Sequence, residues 1–222
     1  GGGGGGEGGG NAVDVDPVTT GTLSIGLTDA ATDGYEAIYV TVDEVQVHMS
    51  EDEGDAGWDV IGTPGRTYNL LELVNGVVEQ LGEREDLEAG HYSQLRMILG
   101  ETADDETNIL EEDHPSANYL ITAAGKTHEL KVPSGFQSGI KLVHGFTISA
   151  GGITELVLDF DALRSIVKTG SGKYILKPTI RVVDSVVTPN LSGTVTNGDG
   201  SLPMDAAMVS AQEYHPEETD PK

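Results

Sequence analysis

The chain has 222 residues, with 12 Lys and Arg against 37 Asp and Glu, a net charge of −25 and no cysteine. That length allows one sandwich of ordinary to large size, or a domain with an appendage. The charge excludes binding to nucleic acid or anionic lipid through a basic patch, which needs clustered Lys and Arg; the missing cysteine excludes disulfides, thiolate nucleophiles and Cys-ligated metals.

In chain order, residues 1–10 are nine glycines and Glu7, a composition that predicts a flexible tether. Ala12-Val13-Asp14-Val15-Asp16-Pro17 then alternates Val with Asp, the pattern of a short edge strand or a donated one. The domain proper opens at Thr22–Ala30, where Leu23, Ile25 and Leu27 share a face. Across Ile38–Met49 the apolar phase moves from positions 38, 40 and 42 to 45, 47 and 49, which predicts a β-bulge at Asp43-Glu44. Glu51-Asp52-Glu53-Gly54-Asp55 reads as an acidic hairpin tip ahead of Trp58–Ile61. Thr67–Leu73 reads as a strand, Asn75-Gly76 as a turn, and Val77–Gly82 as a short apolar segment. Tyr92–Leu99 follows, with Leu95, Met97 and Leu99 inward and Gln94 and Arg96 outward.

Glu101–Ser116 is acidic and rich in breakers, and reads as a long loop. Tyr119–Thr122 and His128–Val132 bracket a turn at Ala124-Gly125-Lys126. Ser138–Ile148 and Thr154–Asp161 both alternate, with Ile140, Leu142, Phe146 and Ile148 on one face of the first and Leu156, Leu158 and Phe160 on one face of the second. The glycine turn between them predicts a hairpin on a core. Asp161 is placed to cap a short helix over Ala162–Val167, and Tyr174–Val187 reads as the last long strand.

Gly21–Ala30, Val40-Thr41-Val42-Asp43-Glu44-Val45, Ser138-Gly139-Ile140-Lys141-Leu142, Glu155–Asp161 and Leu176-Lys177-Pro178-Thr179-Ile180-Arg181-Val182, in that order, resemble the domain of unknown function numbered 4382. The resemblance covers about residues 21–187. It implies the fold and an exported prokaryotic protein, often a lipoprotein, and no catalytic residue. Gly1–Gly6 is similar to the poly-glycine that follows a lipoprotein cysteine, although the chain has no cysteine, so membrane attachment could come only through a lipid anchor absent from this chain. Leu191–Thr196, the turn Asn197-Gly198-Asp199-Gly200 and Ala207–Ala211 resemble the opening strands of a carboxypeptidase-regulatory-like β-sandwich. An isolated two-stranded hairpin is marginal in water, so this one is expected to pack on its own domain or on another subunit.

Candidate chemistry is thin. Asp159 and Asp161 are two apart on a strand face, a spacing that can serve glycoside hydrolysis, but a surface aspartate plus a helix cap explains the pair better. His144 falls on the apolar face with Leu142 and Phe146, where a satisfied buried histidine is expected. Gly170-Ser171-Gly172-Lys173 lacks the flanking residues of a phosphate loop and reads as a turn. Hard cations want several carboxylate oxygens, so Glu51, Asp52, Glu53 and Asp55 are the candidate calcium ligands, with Asp104-Asp105-Glu106 second; no other cofactor is implied.

The expected architecture is all-β: an antiparallel β-sandwich over residues 21–187 with one short helix, a tether over 1–20 and a hairpin extension over 188–222. The expected function is that of a non-catalytic extracellular or cell-surface protein forming a homo-oligomer or filament by strand donation, through Val13, Val15 and Val18 or through Leu191, Thr194, Val195, Met208 and Val209. The alternative is a monomeric surface lipoprotein that binds a glycan or calcium through its acidic loops.

Overall fold

The alternating runs do form two facing sheets. A computed structural model describes residues 19–29, 34–49, 57–134 and 138–189, with side chains as far as 184 in the last strand. The chain separates into two compact units, 1–189 and 190–222, and the described residues all belong to the first. Its strands are β1 (Thr20–Asp29), β2 (Tyr35–His48), β3 (Asp59–Gly62), β4 (Arg66–Asn69), β5 (Glu79–Glu88), β6 (Gly90–Leu99), β7 (Asn118–Thr122), β8 (Thr127–Lys131), β9 (Ile140–Ile148), β10 (Gly152–Phe160), β11 (Ile166–Lys168), β12 (Tyr174–Leu176) and β13 (Ile180–Pro189). The smaller sheet has the order β13-β10-β1-β5. The larger runs β11-β12-β8-β7-β2-β6-β9, with β3 and β4 branching from β2. Most pairs are antiparallel, but β1 lies parallel to β10 and β12 parallel to β8. Alternation does not distinguish the two directions.

The core is one cluster between the sheets. It holds Leu23, Ile25 and Leu27 of β1, Leu156, Leu158 and Phe160 of β10, and Val45, Val47, Leu95, Met97, Phe146 and Ile148 of the facing strands, all buried. The phase change in β2 is a bulge: its register against β6 slips between Val42 and Glu44. That slip keeps Val45 and Val47 on the core side, because one inserted residue reverses which positions face inward.

Four expectations are corrected. β9 and β10 do not pair as a hairpin; β9 bonds to β6 in one sheet and β10 to β1 and β13 in the other. The Ser149–Gly151 turn, with Gly151 at φ 68, is a corner that carries the chain across the sandwich, and two inward-facing alternating runs are equally compatible with either arrangement. The run from Tyr174 is two strands rather than one. Pro178 has no N–H to give to a ladder, and the chain changes sheet between β12 and β13 across Lys177-Pro178-Thr179. Thr67–Leu73 is strand only to Asn69, whose side chain caps the 3₁₀ turn Leu70–Glu72. The helix α1 (Ala162–Ser165) stops two residues early, and residues 166 and 167 are taken into β11. Its cap is as expected: Asp161 accepts a hydrogen bond from the Arg164 amide at 3.0 Å.

β5 extends through residues that did not read as strand. Only Leu81 and Leu87 of Glu79–Glu88 are buried, and the rest is charged or partly exposed. It survives as a strand because it is an edge, needing one covered face. Its backbone runs against β3: a Cβ on Gly62 would lie 2.6 Å from Gly82 Cα, and one on Gly82 2.7 Å from the Ile61 carbonyl oxygen. This glycine contact closes one side of the sandwich.

Candidate functional site

Two places concentrate polar chemistry. The first lies where β6 and β7 meet end to end along one side of β2, with Val42 opposite Leu99 and Val40 opposite Asn118. Thr41 sits at the gap. There the buried Asn118 carboxamide supplies what a continuous ladder would: its Oδ1 accepts from the Thr41 amide at 3.2 Å, and its Nδ2 donates to the Gly100 carbonyl at 3.1 Å. The Thr41 hydroxyl donates to the Ala117 carbonyl at 2.7 Å, so at 2.8 Å it accepts from the Thr67 hydroxyl of β4. Thr67 in turn exchanges two bonds with Asp104, the Thr67 amide donating to Oδ2 at 2.8 Å and the Asp104 amide donating to Oγ1 at 3.1 Å. Burial without partners would cost each of these groups about 1–3 kcal/mol; here every one is satisfied.

The same network fastens the long loop over residues 100–117. Asp104 Oδ1 lies 3.5 Å from His114 Nε2, and His114 Nδ1 lies 2.7 Å from the Tyr119 phenol. The His114 side chain is 2% exposed. Tyr39 stacks on Tyr119 with ring centres 4.6 Å apart, and its phenolic oxygen accepts from the Ile109 amide at 2.8 Å. Ala37, Tyr39, Tyr119 and Ile121 thus form a second small core under the loop, on the face of β2 opposite the main one. Burial raises the Tyr39 and Tyr119 phenols above their usual range.

Aspartate, histidine and phenol in a row have the order of a proton relay. Tyr119, however, is wholly buried and does not reach the cavities that His114 and Tyr39 line. Chemically the arrangement is a clasp. His114, Asp104 and Asn118 carry no spacing signal in the sequence; the available clue was Tyr39 and Tyr119, two aromatic residues on the nominally outer face of strands beside a long loop.

The second place is the side of the sandwich opposite the glycine contact. There β9 ends one sheet and β13 the other, and among the described residues neither has a partner beyond it. Leu142 of β9 and Ile180 and Val182 of β13 pack on the core but stay partly exposed. The two edges are joined by His144 Nε2 and Asp184 Oδ1, 2.9 Å apart, with the histidine side chain 28% exposed. His144 is therefore satisfied, as expected, but at a half-open rim rather than in the interior.

Asp159 and Asp161 are both occupied by arginines. Asp159 lies 3.3 Å from Arg181, and Asp161 lies 3.4 Å from Arg164 while capping α1. Gly170-Ser171-Gly172-Lys173 is the turn joining β11 to β12, closed by the Thr169 amide donating to the Lys173 carbonyl at 2.8 Å. Asp104 is committed to Thr67 and His114. Among the described residues no three acidic, His or Cys side chains converge as metal ligands. Glu51, Asp52, Glu53 and Asp55 lie outside the described residues, as do Val13, Val15, Val18, Leu191, Thr194, Val195, Met208 and Val209.

Two facing sheets, one short helix and a core of strand side chains define an all-β sandwich domain. Within that class the chain belongs to the family described as Domain of unknown function (DUF4382), whose profile matches residues 20–178. That span covers β1 through β12 and ends at the proline before β13. No curated protein and no solved structure matches the chain.

Proposed function

We propose that the protein is a non-catalytic structural subunit of the extracellular space or outer cell surface, assembling with copies of itself by β-strand donation into a filament or surface polymer. The observation that carries this reading is the open side of the sandwich, where β9 and β13 have no outer partner among the described residues and where Leu142 and Val182 are half-covered. An extended segment added to such an edge gains main-chain hydrogen bonds and pockets for alternate side chains. The sequence supplies strand-like segments outside the sandwich, at residues 12–18 and 191–211. Exchange from head to tail that does not close on itself gives a filament. The net charge of −25 and the export that the family resemblance implies support the location.

The test is light scattering on the full chain over a range of concentrations, with negative-stain images at the highest. Assembly is expected, and a chain trimmed to residues 19–189 should remain monomeric. A full chain that is monomeric throughout overturns the reading.

A second reading is a monomeric surface lipoprotein that binds calcium or a glycan. It rests on an open cavity of about 520 Å³ lined in part by Glu101, Asp105, Glu106 and Asp113. A thermal melt with and without millimolar calcium checks the metal arm, and an unchanged midpoint removes it.

A further inference from the structure

Resting on the assembly reading, we infer that the acceptor edge is β9 and that its occupant is residues 12–18 of a second copy, with Asp14 opposite Lys141. β3 and β4, which branch from β2, have only four residues each, and of the four strands that end the main paths of the two sheets three are poor acceptors. β5 is lined by Glu79, Glu83, Glu85, Asp86 and Glu88 and backed by β3 at the glycine contact; edge charge of this kind blocks pairing. β11 has three residues. In β13 the outward cation, Arg181, already serves Asp159 at 3.3 Å.

β9 differs in charge and in shape. Lys141 is exposed, has no carboxylate partner among the described residues, and sits in register with Arg96 of β6. Like charges directly opposite each other in a sheet are unfavourable, and Arg96 is already held by the Gln46 carboxamide oxygen and the Trp58 ring. Lys141 therefore gives this edge an exposed cation on a chain of net charge −25. Val13-Asp14-Val15 is its complement. With Asp14 opposite Lys141, the period-two alternation puts Val13 and Val15 on the inward side, beside Ile140 and Leu142, where Leu142 remains half-covered. The other strand-like segment, Leu191-Ser192-Gly193-Thr194-Val195, offers no charge to Lys141.

Reach decides between the chain's own segment and a neighbour's. Thr19 is held by the Ala89 amide, which donates to its carbonyl at 2.8 Å, and Gly90 pairs with Ile148 at the far end of β9. Seven residues of strand separate Ile148 from Lys141, about 24 Å. Five residues separate Thr19 from Asp14, at most about 18 Å. The segment's own Asp14 falls short of Lys141, so a second copy must supply it.

The chain has no cysteine, which makes cross-linking clean. A single chain carrying both Asp14→Cys and Lys141→Cys should give, on mild oxidation, a ladder of covalent oligomers that reductant collapses; either cysteine alone should give dimers at most. Lys141→Glu, at an exposed position that leaves folding intact by circular dichroism, should raise the concentration needed for assembly at least tenfold, and adding Asp14→Lys should restore it. If the wild type assembles but the double-cysteine chain forms no ladder, or only an internal link, the β9 assignment is wrong while the assembly reading stands. A wild type that is monomeric at every concentration overturns both.

Discussion

Asn118 works as a splice: its carboxamide bridges two strand ends that otherwise leave the Thr41 amide and the Gly100 carbonyl buried and unpaired. Asn118→Ala should therefore lower stability by about 2–3 kcal/mol, more than the loss of one ordinary hydrogen bond, because two groups lose their partner together; denaturant melts measure it. Tyr92 gives the clearest pH dependence. It is wholly buried, stacks on Phe146 with centres 5.4 Å apart and donates to the Glu88 carbonyl at 2.9 Å. Burial, with smaller pushes from the Asp59 and Glu88 carboxylates, moves its phenol from 10.0 up to about 12. Between those values the folded chain keeps a proton that the unfolded chain has lost, so stability is fully present below pH 10 and falls as pH rises through 12. Tyr92→Phe should flatten that fall in an alkaline urea series, at a fixed cost from the missing hydrogen bond. Neither residue announces its role in the sequence. Tyr92 read as the start of a strand and Asn118 as nothing at all, since alternation encodes which side a residue faces, not which gap in a neighbouring ladder it fills.

Strands, by contrast, were largely legible as elements and poorly legible as partners. The inward faces of β1, β6, β9 and β10 follow directly from alternating Leu, Ile and Phe, and even the bulge in β2 shows as a phase change between Val42 and Val45. What failed was pairing. The glycine turn after Ile148 looks the same whether it folds β10 back beside β9 or carries it to the opposite sheet, and only the long-range partners, β6 for one and β1 for the other, decide. β5 was illegible for another reason: an edge strand with two buried residues has almost no hydrophobic signal. Its contact with β3 makes a prediction at this scale. Gly82→Ala places a methyl against the backbone of Ile61 and Gly62, where nothing flexible can yield, and should cost about 1–3 kcal/mol as overpacking. Gly65→Ala, with no atom within 4 Å but φ 52, should cost less, through backbone strain alone. Paired chemical melts separate the two.

Across the whole molecule, one charge dominates. The chain exposes 14033 Å², so the net −25 averages about one charge per 560 Å², a mean spacing of about 24 Å. In 0.15 M salt the Debye length is ~8 Å and repulsion is damped; at 0.01 M it is ~30 Å and neighbouring charges feel each other fully. The melting temperature should rise by several degrees between 0.01 and 0.5 M NaCl, and scanning calorimetry at the two concentrations checks it. An unchanged midpoint would mean that the ion pairs around Arg66, Arg84, Arg164 and Arg181 already offset the repulsion. Strand-mediated assembly of such a chain should likewise need salt.

The parallel pairing of β1 with β10 has a temporal implication. Thr22 finds its neighbour at Ile153, so although β1 can pair with β5 early, its other side stays open until some 130 further residues have been synthesised. Contacts this distant along a chain slow folding. A nascent polypeptide therefore carries its first strand paired on one side only for most of its synthesis, and the four-stranded sheet closes over the core last.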